Sequence, residues 1–188
     1  MLILITGASG SGKSEYAENL VGILAQKECI TEKIYLATME NTSEAAKKRI
    51  LRHRKLREGK GFVTVEAPFG LTESELPKAE SPQKQKRILL LECMSNLLAN
   101  LMFEKQLNGE EALSQILAQI QQMADAYTHL VIVTNEIFSD GAVYTGEMRE
   151  YERTLGRING RLAEKAEVVC EVVYSIPVFL KGEAVCPC

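Results

Sequence analysis

A mainly parallel β-sheet flanked by helices, an α/β domain, is the fold this sequence predicts, and three observations carry the prediction. Short apolar, β-branched runs recur at 2–6, 34–38, 62–65, 88–92, 130–135 and 168–173. Helical patterns fill the intervals, which is the rhythm of parallel strands joined by crossover helices. The tail "EVVCEVVYSIPVFLKG" then breaks that rhythm with two short strands about a turn near Ser175, Ile176 and Pro177, a C-terminal β-hairpin. A chain of 188 residues, 46% of them hydrophobic, can bury one substantial core, so residues 1–188 are expected to form one domain.

Each element has a local reason. The first run leads through "GASGSGKS" at 7–14 into a segment whose Ala17, Leu20, Val21 and Leu24 repeat at i, i+3, i+4 and i+7, one apolar helix face. Asn41, Thr42 and Ser43 are capping residues that should open a second helix through "EAAKKRILRHRKLR" to the breaker Gly59. Residues 72–87 are polar and carry Pro77 and Pro82, an exposed excursion between strands. Helices are expected over 96–105 and 110–127, the second with an apolar stripe at Leu113, Ile116, Leu117, Ile120 and Met123. A glycine-containing loop at 138–146 precedes a helix over 147–165, in which Arg149, Arg153, Arg157 and Arg161 stand at four-residue spacing.

Bulk properties bound the function. A net charge of −3 and a pI near 5.6 argue against a surface built for nucleic acid, so any anion site must be local. No apolar stretch approaches the ~18 residues that span a bilayer, and no basic leader precedes the glycine loop, so a cytoplasmic location is expected. The cysteines at 29, 93, 170, 186 and 188 are odd in number and scattered, which suits reduced thiols rather than a disulfide framework. Cys186 and Cys188 at the chain end read as incidental.

Residues 7–14 satisfy Gly-x-x-x-x-Gly-Lys-Ser between a strand and a helix, the context in which that pattern binds polyphosphate. Glycines at 7, 10 and 12 let backbone N–H groups around Ala8, Ser9 and Ser11 converge on one concavity at a helix N-terminus. Lys13 would bridge the outer phosphates and the Ser14 hydroxyl would be one ligand of Mg²⁺. Such a loop works with a carboxylate at the end of another strand. Glu92 closes "RILLLE" and Glu136 closes "LVIVTNE", and both are candidates because ligands collect at the carboxyl ends of parallel strands.

The chain holds two histidines. His129 opens a strand, at the edge opposite the phosphate loop, and reads as structural. His53 lies in "RILRHRKLR", on one helix face with Arg49 and Arg57 and beside Arg52 and Arg54. Positive neighbours disfavour imidazolium and leave a neutral nitrogen with a lone pair available. The same arginines can fork onto phosphate oxygens. A neutral imidazole among anion-binding groups suits a nucleophile attacking phosphorus; a solvated basic face that includes a histidine is the plainer alternative.

Taken in order, "LITGASGSGKSEYAE", "IYLATM", "RILRH", "TVEAP", "ILLLECMSNLLANLMF", "VIVTNE" and "LGRINGRLAEKAEVV" resemble the bifunctional adenosylcobinamide kinase/adenosylcobinamide-phosphate guanylyltransferases of cobalamin biosynthesis. The resemblance implies phosphorylation of adenosylcobinamide by ATP or GTP, then transfer of GMP from GTP through a guanylyl-histidine to give adenosylcobinamide-GDP. By the same resemblance the guanylylated histidine is His53. The nucleotide would contact residues 7–14, Ala37, Thr38, Met39, Arg54, Lys55, Leu56, Arg57, Glu66 and Glu92, with Lys13 catalytic and Ser14 and Glu92 serving Mg²⁺. A corrinoid substrate and a homotrimer are implied as well. Gly10 stands where the family usually has arginine, and "IFSDGAVYTGE" replaces its usual segment after "VTNE". A plain kinase of another small alcohol, or a nucleotide-dependent regulatory module, are the competing readings of the residues.

Overall fold

The computed structural model describes residues 1–40, 44–71, 75, 86–139, 141 and 144–183, apart from the side chains of Ala45, Ala46, Arg49 and Leu56. The expected caps at 41–43, most of the excursion at 72–87, and Cys186 and Cys188 lie outside those residues. The elements are β1 (Leu2–Thr6), α1 (Lys13–Glu28), β2 (Glu32–Ala37), α2 (Glu44–Arg57), β3 (Phe62–Glu66), β4 (Arg87–Glu92), α3 (Met94–Ala99), a π-helical turn (Asn100–Glu104), α4 (Gly109–Ala126), β5 (His129–Val133), α5 (Gly146–Lys165), β6 (Val168–Val173) and β7 (Ile176–Lys181).

Seven strands form one sheet in the order β3-β2-β4-β5-β1-β6-β7. Every pairing is parallel except β6 with β7, the expected hairpin. Its turn falls at Tyr174 and Ser175, one residue earlier than the proline suggested, with both residues at positive φ (50° and 64°). Strand alternation divides the core in two. Ile3 and Ile5 of β1 pack with Ala17, Val21 and Leu24 of α1. Leu2 and Leu4 face the opposite layer, where Leu97, Ile116, Leu155 and Ile158 from α3, α4 and α5 cover the sheet. Asn108 and Glu111 form a reciprocal capping box at the start of α4.

The helix expected over 96–105 begins two residues earlier and ends in the π turn. There the Asn100 amide donates to the carbonyl oxygens of Thr38 at 2.8 Å and Pro68 at 2.7 Å, tying this helix to the loops after β2 and β3. Register sets the level of the functional end of the sheet: Glu92 pairs with Ala37 on one side and Val133 on the other. The ends of β2, β4 and β5 therefore lie side by side, next to the loop that leaves β1.

Candidate functional site

The phosphate loop is shaped by contacts on both flanks. A Cβ on Gly7 would stand 2.7 Å from the Val172 carbonyl oxygen, so only glycine lets β1 turn so close to β6. Gly12 has φ +91° and lies against the hairpin turn, where a Cβ would meet Ser175 Oγ at 2.5 Å. The Ser175 N–H donates to the Ser11 carbonyl at 2.8 Å, which clamps the turn onto the loop. α1 then opens at Lys13 with no side-chain cap, which leaves its first N–H groups outside the helix's own hydrogen bonds.

Lys13 is 7% exposed and its Nζ folds back to the Ala8 carbonyl at 3.0 Å. Burial lowers its pKa, opposed by the charge of Glu92. Ser14 Oγ donates to Glu92 Oε1 at 2.6 Å. Burial raises the Glu92 pKa to about 7, although the Ser14 hydrogen bond and Lys13 pull it down. The other oxygen, Oε2, is buried with no hydrogen-bond partner among the described residues. A loop lysine, a hydroxyl and a half-satisfied carboxylate thus converge, leaving acceptor capacity for a further group.

Glu136 does something else. Its Oε1 accepts from the Phe138 N–H at 2.8 Å and from Ser139 Oγ at 3.2 Å, closing its own turn. Of the two strand-end carboxylates, Glu92 alone meets the Ser14 hydroxyl. His129 lies buried at the start of β5, with Nε2 2.9 Å from Glu28 Oε1.

Across the cleft stands α2. His53 is half-buried, and Arg52 and Arg54 are exposed. Arg54 pairs with Glu66 at the end of β3. Arg57 is 7% exposed, and its guanidinium carbon lies 3.6 Å from the centroid of the Tyr35 ring. Its Nε and Nη1 are buried without hydrogen-bond partners among the described residues. A buried cation with unused donors next to a phosphate loop is suited to an anion.

The two walls enclose one cavity of about 530 Å³, a size that accommodates a nucleotide. Ser9, Gly10, Ser11, Gly12, Lys13, Ser14 and Glu92 line it together with Ala37, Met39, His53, Arg54, Arg57 and Glu66. Gly7 and Ala8 shape the loop through their carbonyls, which accept from the Glu136 N–H and from Lys13. The Thr38 side chain turns away, donating to the Cys93 carbonyl and accepting from its N–H at 2.7 Å. Lys55 is exposed and does not line the cavity, and the Leu56 side chain lies outside those described.

Eight lining residues escaped the sequence reading, among them Tyr35, Asn96, Asn135 and Ser175. The two asparagines had a signal, since each follows the carboxyl end of an apolar strand, where ligands gather. Asn135 Nδ2 donates to Ser95 Oγ at 2.5 Å, and the Tyr151 hydroxyl donates to the Ser95 carbonyl at 3.1 Å, so this end of the cleft is a connected polar network. Tyr35 read as an ordinary buried strand residue, and nothing local marks Ser175.

Residues 3–180 match the family described as cobinamide kinase / cobinamide phosphate guanyltransferase. The chain belongs to that family. It is 31% identical over 192 residues to the bifunctional adenosylcobalamin biosynthesis protein CobU of Escherichia coli (strain K12), covering 96% of this chain and all of that protein. It is 32% identical over 185 residues to the CobP protein of the same description from Pseudomonas aeruginosa, covering 96% of this chain and 97% of the relative. Among solved structures, an ATPase domain superposes with a TM-score of 0.50 at 9% identity, over 90% of this chain and 68% of that one. That likeness is one of fold. No described helix is long and apolar enough to cross a membrane.

Proposed function

We propose that this family member works in cobalamin biosynthesis as both kinase and guanylyltransferase. It would phosphorylate adenosylcobinamide from a nucleoside triphosphate and then convert the product to adenosylcobinamide-GDP with GTP. One observation carries the reading: the phosphate loop and His53, far apart in the chain, line the same cavity.

In the first step the acceptor hydroxyl oxygen attacks the γ-phosphorus, and the bond to the β–γ bridging oxygen breaks to release nucleoside diphosphate. Lys13 holds the outer phosphates and offsets the charge that develops on them. In the second step a ring nitrogen of His53 attacks the α-phosphorus of GTP; a P–N bond forms and pyrophosphate leaves. Arg57, with unused buried donors, and the neighbouring Arg52 and Arg54 offset charge on the phosphoryl oxygens. The phosphate of the corrinoid then takes GMP from the histidine, restoring the imidazole. Ser14 and Glu92 suit Mg²⁺, since Glu92 Oε2 is buried and unpartnered beside a hydroxyl. Bound there, the ion would neutralise charge on the phosphates. A homotrimer in the cytoplasm completes the proposal.

The test is intact-protein mass spectrometry after incubation with GTP and Mg²⁺ under non-acidic conditions, beside His53→Ala. One GMP added to the wild-type protein and none to the variant is the expected result. Absence of an adduct on protein that binds GTP would reduce the activity to that of a plain kinase or a binding module.

A further inference from the structure

A charge pair with one buried and one partly exposed member lies under the C-terminal end of α2, apart from the groups that meet phosphate. Glu18 stands on α1 one turn beyond Ser14, and its side chain is 0% exposed. One carboxylate oxygen accepts from Lys60 Nζ at 2.7 Å. The other is buried without a hydrogen-bond partner among the described residues. Lys60 lies just past α2 and is anchored at every polar atom: its N–H donates to the Arg57 carbonyl at 3.0 Å, its carbonyl accepts from Lys33 Nζ at 2.5 Å, and its ammonium also reaches Asn19 Oδ1 at 3.4 Å. One residue thereby joins the last turn of α2, strand β2 and the middle of α1.

Stability alone gives little reason for such a pair, because desolvating the Glu18 carboxylate offsets much of its attraction to a partly solvated ammonium and apolar residues of similar volume would serve. What the pair does is fix geometry where little else can. Among the described side chains of α2 only Arg57 is buried, and Leu51 is 63% exposed. The described side chains of the helix therefore form no buried apolar stripe of the kind that normally seats a helix on its sheet. His53 sits one turn before Arg57, on the same face. What holds Arg57 on Tyr35 of β2 and Lys60 on α1 also sets the distance between His53 and the phosphate loop, since that loop leads into α1.

We propose, resting on the guanylyl-histidine reading, that Glu18 and Lys60 are positioning residues for the guanylyl step alone. They hold α2 so that the imidazole stands in line with the α-phosphorus. They take no part in γ-phosphoryl transfer, whose groups, Lys13, Ser14 and Glu92, belong to α1 and β4.

The experiment compares wild type with Lys60→Met, Lys60→Arg, Glu18→Leu/Lys60→Leu and the swapped pair Glu18→Lys/Lys60→Glu. Two rates are read on each preparation: single-turnover formation of the His53–GMP adduct, and phosphorylation of adenosylcobinamide by ATP. Lys60→Met is expected to slow adduct formation by about tenfold or more, with the KM for GTP and the kinase rate within about twofold of wild type, because a misplacement of about 1 Å suffices for such a loss. Lys60→Arg should recover most of the adduct rate. The double leucine variant leaves no unpaired charge buried, so it gives the same split between the two rates even if Lys60→Met fails to fold. Equal loss of both activities, or an unchanged adduct rate in the double leucine variant, would overturn the proposal. Failure of the wild-type protein to form any adduct would overturn the histidine reading and this inference with it; an adduct on wild type and variants alike overturns this inference only.

Discussion

The two walls of the cleft are built on opposite principles. The phosphate-loop wall grows from the centre of the sheet: β1 has β5 and β6 on either side, and the loop is wedged between Val172 and Ser175. Its geometry is set by backbone, and the apolar core beneath it resists displacement. Among its described side chains the α2 wall has no buried apolar footing. It brings His53 and a set of arginines to the cavity and is held by polar contacts: the Arg57–Tyr35 stack, Lys60 with Glu18, and Arg54 with Glu66. The contrast suits a division of labour in which one wall grips phosphates in any step and the other supplies a nucleophile for one step. A wall held by few charged contacts is also the easier one to disable without unfolding the protein.

The largest effects should fall on chemistry and separate the walls. His53→Ala is expected to remove the GMP adduct entirely while leaving nucleotide affinity within about threefold, since phosphate contacts come mostly from the loop. Lys13→Ala should instead slow both steps, phosphoryl transfer by roughly 10²–10³-fold. Rate measurements on the two variants in parallel would break the contrast if each lost the same activities.

Next in size is Glu92. Its folded pKa, about 7, lies above the ordinary 4.5, so the folded state takes up a proton more readily than the unfolded one. The stabilisation this brings is complete below about 4.5 and is lost as pH rises through about 7. Glu92→Gln, which cannot ionise, should therefore gain on wild type at about pH 8 by up to roughly 3 kcal/mol, with the gap closing toward about pH 5. Thermal unfolding in the presence of chelator across that window measures it; a gap that widens toward acid would show that the folded carboxylate is stabilised.

Gly12→Ala tests the backbone wedge. The new Cβ would be held at φ +91° and driven to 2.5 Å from Ser175 Oγ. A loss of about 2 kcal/mol, seen as a lower denaturant midpoint, is expected together with weaker nucleotide binding. The smallest effect belongs to the rim of α2. Arg54 and Glu66 are both more than half exposed, so Arg54→Ala should change stability by less than about 1 kcal/mol while still weakening GTP binding, readable by titration calorimetry.

Much of the fold was legible because its signals are local. β1 and β6 were expected where they stand, 2–6 and 168–173, since apolar β-branched runs between breakers need no partner to be recognised. The helix expected over 96–105 ends within one residue of that bound but starts two residues earlier, and its last turn is a π turn in which Asn100 reaches carbonyls at Thr38 and Pro68 that lie far away in the chain. The hairpin turn, expected near Ser175, Ile176 and Pro177, falls at Tyr174 and Ser175, and Ser175 docks on the phosphate loop.

In the site the division runs the same way. The order of residues by itself determined the phosphate loop, because its glycines, lysine and serine are contiguous and their spacing is the geometry. It also determined that His53 shares a helix face with Arg57, since helical periodicity needs only the local chain. Tertiary structure alone decided that this face and that loop border one cavity, that Glu92 rather than Glu136 meets Ser14, and that Tyr35 and Ser175 complete the lining. Those outcomes depend on strand order and register, which bring together positions far apart in the chain through hydrogen-bond pairings and apolar packing that no local pattern encodes.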